Sequence, residues 1–407
     1  MVDLPLSDVR VLDLSWHVAG PYCTRVLGDY GADVVKVERP GEGDPARLMP
    51  PFFEDEPGIE RSALFLHLNT NKRSIAVDLR SEQGRETVLR LAEWADVAIE
   101  SFSPGTLDAL GLGYDALRAV NPAIVLTSIS NYGQSGPYRD WKGSELTIWG
   151  MGGPMLYTGS PDREPLKTAG HTQGCHVGAL AAAATNIALW GADASGEGDH
   201  IDISFYEAFM GLIDRRTTSL LNYQYTGETS GRPPAGQTPG SGIWPTGDGG
   251  FFFTTVIGPR WNAMATMIGH EELLEDPNWL DPAWRAQEEP MAQFQGLVGE
   301  WMLGHSKLEI RQAVEDAGVY GGPVNTVAEL LTDPHFTERA FFETIDHPTT
   351  GEQTYPGRTY RSSAHGWPPP PRQRAPLLGE HTDEILGEAL GLDAGAIAEL
   401  RAAGAVS

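Results

Sequence analysis

The feature that most constrains this chain is the regular alternation of strand and helix signals over its first 130 residues. Val9–Leu14 (VRVLDL) is rich in β-formers, and a loop, SWHVAGP, follows it. Pro21 is placed as the first residue of a helix running to about Tyr30. Asp33–Glu38 (DVVKVE) reads as the next strand, and Arg73–Leu79 as another after a Gly/Pro/Asp-rich loop. Ser81 then predicts the cap of a helix whose Val88, Leu91, Ala92 and Ala95 share one face. Val97–Phe102 and Ile124–Ser130 are further strands. Alternation of this kind predicts an α/β fold with a mainly parallel, doubly wound sheet covered on both faces.

The 407 residues are enough for two domains. Long helices are expected at residues 177–192 and about 203–226, followed by a Gly/Pro-rich loop, Gly231–Gly250, and a strand at FFFTTVI. The helical, Trp-bearing segment from Trp261 to about Ala317 reads as a smaller second domain. Beyond Pro323 come a helix, a strand-like segment, the proline run WPPPPR (Trp367–Arg372) and a last helix.

Charge narrows the function. With 29 Lys and Arg against 55 Asp and Glu, the net charge of −26 repels phosphate backbones and anionic lipid, which argues against nucleic-acid and membrane-surface roles. An anionic ligand must be held by a local cluster of cations. Two cysteines, Cys23 and Cys175, cannot make a disulfide framework or a four-thiolate zinc site. The N-terminus shows no signal-peptide pattern. The apolar stretch Val177–Ala192, rich in Gly and Ala and interrupted by Asn186, suits a core helix better than a membrane span. A cytoplasmic location is expected.

Three segments are candidates for chemistry. The loop Ser15–Pro21 lies between a first strand and a helix, where doubly wound sheets bind ligands, but it lacks G-x-G-x-x-G and also reads as an ordinary turn. The run Asn69–Ser74 (NTNKRS), with Lys36, Arg39, Arg80 and Lys142, concentrates cations and suits either a phosphate-bearing ligand or ion pairs with the many carboxylates. The segment Ala169–Gly178 (AGHTQGCHVG) enters the Ala-rich helix. Its His171, Cys175 and His176 match no zinc spacing, so no metal is expected.

Together these segments resemble the family III CoA-transferases, the group of formyl-CoA transferase, carnitine CoA-transferase and α-methylacyl-CoA racemase. The resemblance is carried by VLDLSWHVAGP (Val11–Pro21), GADVVKVERPGEGD (Gly31–Asp44), NKRSIAVDL (Asn71–Leu79) and ESFSPGTLDALG (Glu100–Gly111). It continues through NPAIVLTSISNYG (Asn121–Gly133), GPVNT (Gly322–Thr326) and APLLGEHTDEIL (Ala375–Leu386). It implies a Rossmann-like large domain, a smaller α+β domain and an interlocked dimer. It divides the chain into residues 1–225 (large domain), 226–325 (small domain) and 326–407 (a segment returning to the large domain). A coenzyme A thioester would be substrate, with no permanently bound cofactor, and a carboxylic acid would be the acceptor.

By matched position, the resemblance places coenzyme A against Val18, Ala19, Arg39, Val77 to Arg80, Ser101, Phe102, Ser103 and Lys142. Ser101 stands where the transferases often have Asn, and Ala109 where some members carry a basic residue. The larger departure is catalytic. Family transferases carry a nucleophilic aspartate in a G-D-x-x-x-G setting before the Ala-rich helix, whereas this chain reads Gly170, His171, Thr172, Gln173, Gly174. His171 is the nearest substitute, yet imidazole has no carbonyl that could become a thioester with CoA.

Three readings follow. The chain is one subunit of a heteromeric transferase whose Asp-bearing homologue supplies the nucleophile. Alternatively, it is a homodimer using another carboxylate, Glu145. In the third, it is a racemase-like isomerase in which Glu145 and His171 exchange the α-proton of an acyl-CoA. A non-catalytic CoA-binding role is the remaining alternative. The plain reading of Glu145 is an ion pair with Lys142 on one helix.

Overall fold

The computed structural model describes residues 4–211, 214–229, 231–232, 238–364 and 370–407. Part of the Gly231–Gly250 loop and half of the Trp367–Arg372 proline run lie outside the described residues. Two compact units are present: Met1–Leu156, Lys167–Thr229 and Ala340–Ser407 form the larger, and Tyr157–Leu166 with Ser230–Arg339 the smaller.

The larger unit is built on a six-stranded sheet of β1 (Arg10–Asp13), β2 (Asp33–Glu38), β3 (Lys72–Ala76), β4 (Val97–Glu100), β5 (Val125–Ser130) and β6 (His200–Ser204). All neighbours are parallel, in the order β3-β2-β1-β4-β5-β6. This is the Rossmann-like order, with its switch point between β1 and β4.

Side chains alternate across the strands, so each face acquires its own core. Val11, Val34, Val97 and Val125 pack with α1 (Ala19–Asp29) and the helix Thr172–Ser195. Leu12, Val35, Ala98 and Leu126 face the other way, onto Val88, Leu91 and Ala92 of the helix Glu82–Trp94 and Ile385 and Leu386 of the helix Thr382–Leu390. Ser81 caps the Glu82 helix, its side chain accepting from the Gly84 N–H.

Several boundaries differ from expectation. Pro21 is the third residue of α1, not the first. Its missing N–H costs nothing there, because first-turn donors have no intrahelical acceptor. The strand expected at Arg73–Leu79 ends at Ala76, where Val77 turns to bridge Val406. The helix expected at 177–192 spans Thr172–Ser195, and the one expected from about 203 is preceded by the unforeseen β6. That strand, HIDIS, is short and half polar because it lies at the sheet edge.

The smaller unit is α+β. Its antiparallel sheet has the order β7 (Gly242–Pro245), β8 (Phe251–Thr255), β9 (Tyr320–Pro323). Around it Trp244, Phe252, Trp261, Trp279, Phe294 and Val298 make an aromatic-rich core. In the larger unit the hairpin β10 (Phe342–His347) and β11 (Gly351–Pro356) precedes a segment that laps the edge strand β3. There the Ala76 N–H donates to Thr382 Oγ1 and the Gly379 N–H to Ser74 Oγ.

Candidate active site

Parallel strands end at β1, β2, β3 and β4 on one edge of the sheet, and the loops that leave them enclose a cleft of about 420 Å³. Trp16, Arg39, Val77, Arg80, Ser101, Phe102 and Ser103 all line it. Six of these are residues expected at coenzyme A, gathered from three separate loops.

Trp16 is the addition that sequence reading did not single out. Its ring meets Phe102 edge-on at 5.0 Å between centroids, and the Arg39 guanidinium lies over it at 4.9 Å. Ser101 Oγ accepts from the Trp16 N–H at 2.8 Å and donates back to the Trp16 carbonyl at 3.1 Å. One serine thus staples the loops after β1 and β4, which accounts for a hydroxyl at that position. A tryptophan in a short loop after a first strand was the available signal.

The cleft cations are only loosely committed. Arg39 pairs with Glu42, and Arg80, largely exposed, pairs with Asp78 at 3.0 Å. Such exposed pairs contribute little, so both arginines can turn to a phosphate.

Other predicted cations lie elsewhere. Lys36 and Lys72 are fully buried beneath the first loop and neither solvated nor turned to a ligand. Lys72 donates to Asp13 at 3.0 Å, while Lys36 pairs with Asp44 at 2.8 Å and donates to the Ser15 carbonyl at 2.9 Å. Burial alone would raise the Asp13 carboxyl, but the two lysines and the Ser15 and Thr24 hydroxyls hold it well below the usual carboxylate range. Burial lowers Lys72 to about 8 against the attraction of Asp13. Asp44 also accepts the His17 N–H at 3.0 Å, fixing a residue held at φ 66°. This buried network shapes the loop that carries Trp16 and His17. Arg73 is taken up by Asp33, Glu384 and Glu388. Lys142 is exposed and outside the cleft lining.

Val18 and Ala19 do not line the cleft. They connect it to the start of the helix Thr172–Ser195, which approaches so closely that a Cβ on Gly174 would lie 2.6 Å from Val18 Cγ1. In this helix's first turn the Gln173 N–H donates to Glu145 Oε1 at 3.1 Å. Glu145 Oε2 faces Lys167 Nζ at 3.4 Å and His171 Nδ1 at 3.5 Å. The structure therefore brings Glu145 and His171 together. Lys142 is not the partner of Glu145, because the helix Glu145–Met151 begins after it, at the Ser144 cap. Lys167, an unforeseen member, is held by the carbonyls of Thr168 and Gly170. The Glu145 carboxylate thus accepts from a helix N–H and faces a cation and an imidazole. It is a nucleophile or proton acceptor by type.

A doubly wound sheet with an arginine-bearing cleft at its switch point has the form of a site for phosphate-carrying ligands. The particular family follows from comparison with known proteins. Residues 6–382 match the sequence profile of CoA-transferase family III, and this chain belongs to that family. It is 35% identical over 405 residues to succinyl-CoA–D-citramalate CoA-transferase of Chloroflexus aurantiacus, covering 98% of this chain and 97% of the relative. It is 33% identical over 394 residues to succinyl-CoA:(R)-benzylsuccinate CoA-transferase subunit BbsE of Thauera aromatica, covering 94% and 93%. Among solved structures, a CAIB/BAIF family protein from Brucella suis superposes with a TM-score of 0.82 at 32% identity, over 95% of this chain and 100% of that one.

Proposed function

We propose that this chain is an acyl-CoA:carboxylate CoA-transferase acting with an Asp-bearing homologous subunit. The observation that carries the reading is the cleft, where Arg39, Val77, Arg80, Ser101, Phe102 and Ser103 converge from three loops. In it the arginines would hold the phosphates of a CoA thioester, and Trp16 and Phe102 an apolar part of the ligand. The CoA thioester is substrate, and the second substrate is a carboxylic acid. Relatives whose names specify succinyl-CoA, and one that is a named subunit, support the class and the heteromeric arrangement. Exposed Ile187 and Trp190, at 73% and 78%, leave an apolar strip on the helix Thr172–Ser195 that suits an interlocked partner. We place the enzyme in the cytoplasm.

In the transferase cycle a carboxylate attacks the acyl-CoA carbonyl. The C–S bond breaks, and CoA leaves as thiolate from a mixed anhydride. The thiolate then attacks the carboxyl carbon of the enzyme residue, releasing the acid and leaving an enzyme–CoA thioester. The acceptor acid reverses the sequence. In this proposal the partner's aspartate is that carboxylate.

The position of Glu145 favours a second reading, in which this chain is self-sufficient. Its carboxylate, presented at a helix N-terminus beside Lys167 and His171, has the carbonyl carbon that His171 lacks. Incubating the isolated chain with succinyl-CoA and analysing it by mass spectrometry separates the two. We expect no hydroxylamine-sensitive CoA adduct, and turnover only after an Asp-bearing homologue is added. An adduct on Glu145 would establish the self-sufficient transferase.

A further inference from the structure

We propose that the smaller unit contains a binding site for an organic monocarboxylate with an apolar stem, built on Arg285. A cavity of about 450 Å³ within this unit is walled by Pro239, Val256, Trp261, Leu280 and Pro282. Arg285 is the one cation among the described residues of its lining. The arginine ends a single helical turn, Pro282–Arg285, which Asp281 caps by accepting the Ala283 N–H at 2.9 Å.

Arg285 is placed with unusual firmness for a residue without a charged partner. It is only 8% exposed, its guanidinium carbon lies 4.2 Å from the centre of the Trp261 ring, and one terminal nitrogen donates to the Trp279 carbonyl. Among the described residues no carboxylate forms an ion pair with it. Burial depresses its pKa, and Asp281 opposes this only from a distance. A buried charge is costly unless it is paired. Here the ring and one carbonyl hold the fork in place, while its other N–H groups have no acceptor among the described residues. Trp261 Nε1, in the same wall, is also buried without a hydrogen-bond partner among the described residues.

The chemistry of the lining selects the ligand class. A planar guanidinium with free N–H groups matches the two oxygens of a carboxylate. One cation balances one negative charge, so a monoanion fits better than a phosphate dianion. The remaining walls are mostly aliphatic or aromatic, and they favour an acid whose stem can leave water. Because the chain carries 55 acidic residues against 29 basic ones, an anion finds little attraction except at such a local donor.

This inference is independent of the transferase reading, since CoA binding in the cleft of the larger unit is measured separately. The test is calorimetric titration of the full chain with hexanoate, alongside its uncharged amide, with tryptophan fluorescence as a second signal from Trp261, Trp279 and Trp284. Hexanoate is expected to bind saturably, and hexanamide at least about tenfold more weakly, the usual scale for losing a charged hydrogen bond. Arg285→Met and Ala286→Phe should each weaken hexanoate by a similar factor while CoA binding is unchanged. Ala286→Phe fills the cavity without altering the arginine, so it decides the matter if Arg285→Met does not fold. Absence of saturable hexanoate binding, equal binding of the amide, or unchanged affinity in Ala286→Phe would overturn the site.

Discussion

His171 Nδ1 lies 3.5 Å from Oε2 of Glu145, although the two residues belong to different helices. The contact arises because both helices present their N-termini to one place. Ser144 and Thr147 form a capping box that starts the Glu145 helix, and His171 is the N-cap residue of the long helix. Glu145 meets that helix through the Gln173 N–H, and Val18 packs against its Gly174. The loop carrying Trp16 therefore links the cleft to this carboxylate.

The Glu145–His171 pair has the composition of a proton-transfer couple, so α-proton exchange must be tested directly. The resemblance to the family's racemases implies a histidine where this chain has Ser144, so the isolated chain is expected not to deuterate 2-methylacyl-CoA in D₂O, as read by NMR. Rapid exchange, slowed about 100-fold in both His171→Ala and Glu145→Gln, would instead make the chain an isomerase.

Arg39 stacks over Trp16 at the cleft and, among the described residues, pairs only with exposed Glu42. Arg39→Ala should weaken CoA binding by about 1–3 kcal/mol, measured by calorimetry, with an affinity that falls as salt rises. Lys142→Ala, which alters an exposed side chain outside the lining, should leave the affinity close to wild type. The reverse ranking would move the phosphate site toward Lys142.

Glu100, 4% exposed at the end of β4, accepts the Phe102 N–H at 2.7 Å. Burial raises its pKa from 4.5 to about 7, despite hydrogen bonds from Ser128 and Phe102. The folded state then holds a proton that the unfolded chain has lost between those values. This group's contribution to stability falls as pH rises through that window and is lowest above it. Glu100→Gln should raise stability at pH 8 by on the order of 2 kcal/mol and leave it nearly unchanged at pH 4, as denaturant melts would show.

Close approach of α1 to the helix Thr172–Ser195 depends on Gly178, where a Cβ would lie 2.5 Å from the Ala19 carbonyl oxygen. Backbone cannot move aside as a flexible side chain would. Gly178→Ala should destabilise the chain by about 1–3 kcal/mol in chemical denaturation, despite the better helix propensity of alanine. A stabilised variant would show that the contact is looser than the geometry implies.

Gln173 is fully buried, and both side-chain amide atoms lack a hydrogen-bond partner among the described residues. Gln173→Leu keeps the volume and removes polar groups that are costly to bury, so an equal or higher melting temperature is expected in calorimetry. A marked fall would reveal a partner for the amide in the assembled protein.

Much of this was legible in the chain itself. The spacing of β-rich runs and amphipathic helices gave the parallel sheet, because burial on both faces imposes a pattern on each strand separately. Asp33–Glu38 appears in the structure with the expected ends. Motif order gave the family, since several segments in fixed sequence constrain one another. The resemblance pointed to eight residues that line the cleft, Arg39, Val77 to Arg80 and Ser101 to Ser103, and each sits just past a strand, where a βα fold opens to ligands.

What sequence could not decide was which charges meet. Lys36, Lys72 and Arg39 all lie in cation-bearing segments, yet two vanish beneath the first loop with Asp13 and Asp44, and one faces the cleft. Likewise, Glu145 looks like a neighbour of Lys142 along the chain, but its partners are Lys167, His171 and the N–H of Gln173. The hydrophobic pattern is written locally, as a period of two or of about 3.6 residues, and survives in a linear reading. Pairing of charges, stacking of Arg285 on Trp261 and burial of Gln173 depend on where distant segments come to rest, and only the packed chain fixes those positions.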